Sequence, residues 1–381
     1  MMSEKNVWET YEEQEMNEVF ALAEDYKRFI SENKTERACV KSAVAMAEAR
    51  GYRDLREVIR RQETLKPQDK VYLTMMEKSI VLFHLGDRPL EEGMHILGAH
   101  IDSPRLDLKQ NPVYENTELA YLDTHYYGGI KKYQWVTLPL ALHGVIVKKD
   151  GTSVDVCIGE KEDDPVFVIS DLLIHLSNDQ MQKKAASVIE GEDLNVTFGS
   201  MPLKEEEKDK VKANVLKLLK ERYDVEESDL VSAEIEVVPA GKARDLGIDR
   251  SMVIGYGQDD RVCAYTSLVA LLEMENVEKT AVCLLVDKEE VGSQGATGMQ
   301  SCFFENALAE VMDRMGIYSE LKVRRALQHS KMLSSDVSAA YDPNYAGVME
   351  TNNCAYFGKG LVFNKYTGAR GKSGCNDANA E

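Results

Sequence analysis

Thr280-Ala-Val-Cys-Leu-Leu-Val286 is an almost wholly apolar run, and it ends in Asp287-Lys-Glu289-Glu290-Val-Gly292. A continuous apolar run of this length suits a central strand buried on both faces, the strand type of α/β sheets. Its acidic end then falls where such sheets place their ligands, at the carboxyl ends of the strands.

Outward from that strand the same texture recurs. Lys70–Met75, Ser79–His84 and Met94–Ala99 read as strands, and Val253–Tyr256 as a shorter one. Helical spacing of apolar residues runs from about Val7 to Ile30 and from Glu36 to Arg50, where Gly51 is a natural stop. Arg261–Asn276 is an amphipathic helix. Between these halves the texture changes. Short β-rich runs (Trp135–Leu142, Gly144–Lys148, Val154–Ile158) and one charged helix near Lys204–Tyr223 indicate a module of another kind. The expected fold is α/β, a mixed central sheet flanked by helices, carrying an inserted β-rich domain. The expected boundaries are 1–108 for the first part of the α/β domain, 109–240 for the insert and 241–381 for the second part.

At 381 residues the chain can bury a large core. The 46 Lys and Arg against 65 Asp and Glu give a net charge of −19, which disfavours nucleic acid and anionic membrane as partners. The seven cysteines form no CxxC pair and two lie in apolar runs, as expected of reduced thiols. The N-terminal stretch has neither a basic start nor an apolar core, so it does not read as a secretory signal. A cytoplasmic location is expected, and the Asn33-Lys34-Thr35 sequon is then a chance match.

Four clusters end apolar runs. They are His95-Ile-Leu-Gly-Ala-His100-Ile-Asp102-Ser103, Gly257-Gln258-Asp259-Asp260-Arg261, the Asp287–Glu290 cluster, and Met332-Leu-Ser-Ser-Asp336. Zinc is bound by imidazole nitrogen and carboxylate oxygen, with a position left open for water. His100 offers the nitrogen, and Asp102 could fix its tautomer from the other ring nitrogen. Of Glu289 and Glu290, one could ligate metal while the other activates the attacking water. Each signal alone has a plainer reading. A histidine at a strand end is commonly structural, an Asp-Asp pair before a helix is commonly an N-cap, and a Glu-Glu pair is commonly a solvated surface. Four in succession change the balance. The Gly292-Ser-Gln-Gly-Ala-Thr-Gly298 segment lacks the Gly-Lys-Ser/Thr ending of a phosphate loop and reads as a turn behind the glutamates.

The stretches GAHIDSPRLDLK, GQDDR, VDKEEVGSQGATG and SSDVSAAYDPNY, in this order, resemble the aspartyl aminopeptidase-like family of di-zinc metalloaminopeptidases, in its bacterial, clostridial-type branch. YGGIKKYQW and DLLIHL resemble that family's intervening domain. The resemblance implies a zinc exopeptidase fold with a dimerisation insert, two divalent ions (most often zinc), peptide substrates, and dimers assembling to a dodecamer. It further implies His100 and Asp336 as ligands of the first metal and Asp259 as the bridge, with an unusual peptide geometry between Asp259 and Asp260. Glu290 would be a ligand of the second metal, Glu289 the general base and acid, and Asp102 the residue that orients His100. His175 would reach a neighbouring subunit's substrate site. The family also has a final metal-binding histidine near its C-terminus; none of this chain's remaining histidines stands in such a context, so the expectation is a chain that ends short of it, at Asn376–Glu381. Two rival readings follow: a catalytically impaired assembly protein, and a metal amidohydrolase of related architecture. Ala340-Tyr341-Asp342 stand where the family often has histidines, and the register around Asn364-Lys365-Tyr366 is uncertain, so specificity for acidic residues is not assumed.

Overall fold

The computed structural model describes residues 5–372 and 374. They fall into two compact units, residues 27–335 and the two chain ends, 1–26 with 336–381. In the smaller unit Trp8 packs on Tyr11 and Phe20, and the Val7 amide donates to the Gly358 carbonyl at 2.8 Å.

In the larger unit, α1 (Glu13–Glu32) ends and α2 (Glu36–Ala49) begins at Thr35, whose hydroxyl accepts the Ala38 amide. Cys39, Val40, Ala43 and Ala47 form the buried stripe of α2. There follow β1 (Arg53–Asp54), α3 (Leu55–Arg60), β2 (Lys70–Met75), β3 (Ser79–His84) and β4 (His95–His100). The chain then makes β5 (Arg105–Asn116), β6 (Leu119–Tyr127), β7 (Leu140–Val147), β8 (Ser153–Ile158), β9 (Val196–Gly199), α4 (Lys210–Tyr223) and β10 (Glu234–Pro239). A hairpin of β11 (Arg244–Leu246) and β12 (Met252–Ile254) leads to α5 (Gln258–Leu272), β13 (Ala281–Val286), α6 (Phe303–Arg314), α7 (Glu320–His329) and β14 (Lys331–Ser334).

Two six-stranded sheets result. The first has the order β1-β2-β3-β13-β4-β14 and is mixed, with β13 antiparallel to β3 and parallel to β4. All six residues of β3 and of β13 are buried. The apolar run thus takes the central place expected of it, and each buried Val or Leu there contributes about 1.5–3 kcal/mol. The second sheet, β8-β7-β10-β5-β6-β9, is antiparallel throughout and encloses a core of its own around Leu106, Leu140, Val196 and Val237.

The structure departs from the expected elements in places. Val7–Ile30 is a 3₁₀ turn (Val7–Glu9) followed by α1. Trp135–Leu142 and Gly144–Lys148 are one strand, Leu140–Val147, running through Gly144. The reason lies at Gly144 itself: a Cβ there would stand 1.9 Å from the Glu234 carbonyl oxygen of β10, so the glycine permits close pairing within the strand. Asp259 and Asp260 are not cap residues either; both have non-helical backbone angles within the first turn of α5, and Asp260 is fully buried.

Lys34, between α1 and α2, is buried. Its Nζ donates to Glu160 Oε1 at 2.6 Å and to the carbonyls of Pro239 and Gly241 at 2.8 and 2.7 Å. His143 Nε2 lies 2.8 Å from the same Glu160 oxygen. Burial raises the Glu160 pKa, but the bonds from His143 and Lys34 outweigh it and leave the carboxyl below its ordinary value. Glu160→Gln should therefore destabilise the protein by about 3 kcal/mol in denaturant unfolding at neutral pH, because the Lys34 charge stays buried. A depressed carboxyl stabilises above its unfolded pKa, so the gap between the two proteins should close as the pH falls below about 4.

Candidate metal centre

β4 and β13 run parallel with His100 opposite Val286, and the Ile101 amide donates to the Val286 carbonyl at 2.9 Å. The residues that leave these two strands therefore emerge side by side. Asp287 anchors the second exit: its carboxylate accepts the Lys288 amide at 2.7 Å and the Thr297 hydroxyl at 2.7 Å. A 3₁₀ turn, Glu289–Val291, presents the two glutamates. The Asp259 carbonyl accepts the Ser103 hydroxyl at 2.7 Å, which brings the start of α5 to the same place, and the Asp259–Asp260 peptide is cis.

The side chains converge on His100, which is 3 % exposed. Its Nδ1 lies 3.0 Å from the Asp102 carbonyl and 3.3 Å from Asp102 Oδ1. Its Nε2 lies 3.1 Å from Asp259 Oδ1 and 3.8 Å from Glu289 Oε2. His100, Asp259 and Glu290 offer ligand atoms within 4.8 Å of one another. Glu290 is walled by Gly128, where a Cβ would come within 3.2 Å of Glu290 Cβ; with φ at +73° the position suits glycine on both counts.

The electrostatics fit a cation. Burial lowers the His100 pKa, but Asp102, Asp259 and Asp260 outweigh it and lift the imidazole to about 11. Burial, then the Asp259 charge, push Glu290 up to about 7. A ring of acids that keeps a proton on a buried imidazole and on a glutamate is short of positive charge. One imidazole nitrogen and carboxylate oxygens form a donor set that suits zinc, so the residues present fit the ion.

Of the residues named from the sequence, His100, Asp102, Asp259, Glu289 and Glu290 are brought together here. Asp336 follows β14 by two residues; it is exposed and is the first residue of the chain-end part of the smaller unit. His175 is exposed on a 3₁₀ turn, Ile174–Leu176, so it is not a core residue. The stretch Asn376–Glu381 lies outside the described residues. Tyr127 and Gly128 went unread in the sequence, although they stand in the YGGIKKYQW stretch.

A buried imidazole ringed by carboxylates at the ends of parallel strands is the construction of a metal-dependent hydrolase. The description Aminopeptidase I zinc metalloprotease (M18) matches residues 29–381. A probable M18 family aminopeptidase 1 of Clostridium acetobutylicum is 64% identical over 378 residues, covering 99% of this chain and 81% of that protein. The crystal structure of aminopeptidase I from Clostridium acetobutylicum superposes with a TM-score of 0.91 at 60% identity, and an M18 aminopeptidase of Thermotoga maritima with 0.93 at 43%. Each alignment covers 100% of this chain and 82% of the other. The chain belongs to the Aminopeptidase I zinc metalloprotease (M18) family and is a zinc metalloaminopeptidase, an assignment that leaves the scaffold and amidohydrolase readings unsupported. Among the described residues no helix is long and apolar enough to cross a membrane.

Were His100 and Glu290 to ligate zinc, they would release the protons they hold in the metal-free protein, so zinc affinity should rise with pH. Chelator-competition titrations should show log Kd falling by about two per pH unit below about pH 7 and by about one above it. A pH-independent Kd would contradict this linkage.

Proposed function

We propose that this chain removes the N-terminal residue of peptides with Glu289 as general base and acid. His100 and Asp336 would hold the first of two divalent ions and Glu290 the second, with Asp259 between them. The observation that carries the reading is the gathering of His100, Asp259 and Glu290 within 4.8 Å, with Glu289 Oε2 3.8 Å from the imidazole. When bound, the ions supply Lewis acidity that polarises the scissile carbonyl and lowers the pKa of water. Glu289, half-exposed at the edge of the cluster, takes the proton of the attacking water and passes it to the leaving amine. Asp102, fully buried, holds the imidazole by Nδ1 and keeps Nε2 turned toward Asp259. The free α-amino group would be held near Glu290 or the second ion, which would account for exopeptidase action.

Glu289→Gln should retain zinc, measured by metal analysis, while kcat falls by about 10²–10⁴. An unchanged kcat would remove Glu289 from the mechanism. Release of the first residue from a free peptide, and none from its N-acetylated form, separates this reading from amidohydrolase action.

The 109–240 insert is the proposed dimerisation domain, in a cytoplasmic homo-oligomer, with His175 serving a neighbouring subunit's site. Leu172, Leu173, Ile174 and Leu176 are all more than half exposed around His175, an apolar run that a second copy would cover. A yeast neighbour of this fold, at 20% identity and TM-score 0.69, is described as a dodecamer. Ile174→Glu should lower the molar mass seen by light scattering; an unchanged mass would count against this surface.

A further inference from the structure

Asp102 is a carboxylate with both oxygens fully engaged. Oδ1 faces His100 Nδ1 at 3.3 Å and accepts the Glu289 amide at 3.2 Å. Oδ2 accepts the Glu290 amide at 3.2 Å and the Tyr127 hydroxyl at 2.6 Å. One buried group thus orients the imidazole and fixes the backbone of both glutamates. Three of its four donors belong to residues already placed in the centre. The fourth comes from β6, the second sheet.

Tyr127 is itself held firmly. It is 8 % exposed, the Arg105 guanidinium carbon lies 3.8 Å from its ring centroid, and Lys288 Nζ lies 5.0 Å from it. Arg105 is fixed by Asp107 at 2.8 Å and by Glu36 and Glu236 at 3.2 Å each. Burial and the Asp102 charge push the Tyr127 pKa up, so the phenol remains a donor. At 2.6 Å to an ionised acceptor its bond is of the short, charge-assisted kind.

We propose that Tyr127 is a positioning residue of the catalytic centre: its hydroxyl locks the Asp102 carboxylate, and through it both the His100 imidazole and the Glu289-Glu290 backbone, so that the second sheet sets the geometry of the metal centre. Without that donor Oδ2 keeps only the Glu290 amide, and the carboxylate can turn about Cβ–Cγ. Any such turn lengthens the bonds to His100 Nδ1 and the Glu289 amide together. Zinc affinity and turnover therefore fall in parallel, whereas KM, with the buried Tyr127 hydroxyl turned to Asp102, is spared.

The inference rests on His100 being a metal ligand, so the experiment includes its control. Tyr127→Phe keeps the ring against Arg105 and removes only the hydroxyl. Chelator competition should find its zinc bound about 10-fold more weakly, the lower end for loss of an outer partner of a metal ligand. With zinc saturating, kcat should fall about 10-fold and KM should change by less than about twofold. In an Asp102→Asn background the same substitution should cost less than about twofold, since residues that act through one another are not additive. Thermal unfolding of the single variant should stay close to that of the wild type. Unchanged zinc affinity and kcat, or an equal loss in both backgrounds, would overturn the role of Tyr127 and leave the metal reading standing. If His100→Ala binds zinc as tightly as the wild type, the metal reading and the inference fail together.

Discussion

The parallel pairing of β4 with β13 is the constraint on which the rest of the structure depends. It fixes His100 opposite Val286, 186 positions on, so that an imidazole and an acidic turn leave the sheet at one level. Side chains along a strand alternate between faces, so a slip of one residue would carry His100 to the other side. The register is held by apolar packing rather than by the site. Every residue of β13 is buried, and β3 covers its other edge through five antiparallel pairs from Ala281 to Leu285. The chemistry sits at the end of a wholly buried strand, a rigid support of the kind that a site needing fixed distances requires.

That rigidity is used to hold like charges together. Asp102, Asp259, Asp260, Glu289 and Glu290 meet around a single histidine, and nothing in their mutual interaction favours the meeting. Burial, then the Asp259 charge, push Glu290 up to about 7. Asp102 escapes it: burial raises its pKa, but His100, Tyr127 and the Glu290 amide outweigh burial and keep it ionised. Two carboxylates in one cluster are thus driven in opposite directions, Asp102 down by its donors and the His100 charge, Glu290 up by burial and the neighbouring acids. The one with a full set of donors stays charged and orients its neighbours; the other is left short of positive charge, as suits the proposed metal ligand.

How much of this the sequence revealed follows from the range of each interaction. β2 and β3 read correctly to the residue because Lys-Val-Tyr-Leu-Thr-Met and Ser-Ile-Val-Leu-Phe-His are short apolar runs separated by a turn, a local signal. His100, Asp259 and Glu290 were legible as motif residues, and their convergence follows from strand ends meeting along one edge. The runs Trp135–Leu142 and Gly144–Lys148 divide what is one strand, because glycine stands both at strand ends and at close strand approaches, and only the partner strand decides between them. Tyr127 could not be found by periodicity at all. As the last residue of β6 it is buried out of step with Ala120, Leu122 and Thr124, and its partner lies 25 positions back in the first sheet's outgoing loop.

The last point bears on why two sheets share one unit. Were the second sheet only a platform for self-association, its contact with the first would be free to be apolar, since packing alone would hold it. The contact is instead ionic and directional. Glu36 of α2 faces Arg105 of β5, Arg105 lies over Tyr127 of β6, and Tyr127 bonds to Asp102. Buried pairs of this kind stabilise little compared with apolar packing of the same volume, but they tolerate only one arrangement. A helix behind the first sheet and two strands of the second are thereby committed to the same position of one carboxylate. Movement of β6 relative to β4 would reach Asp102 first, and through it the imidazole.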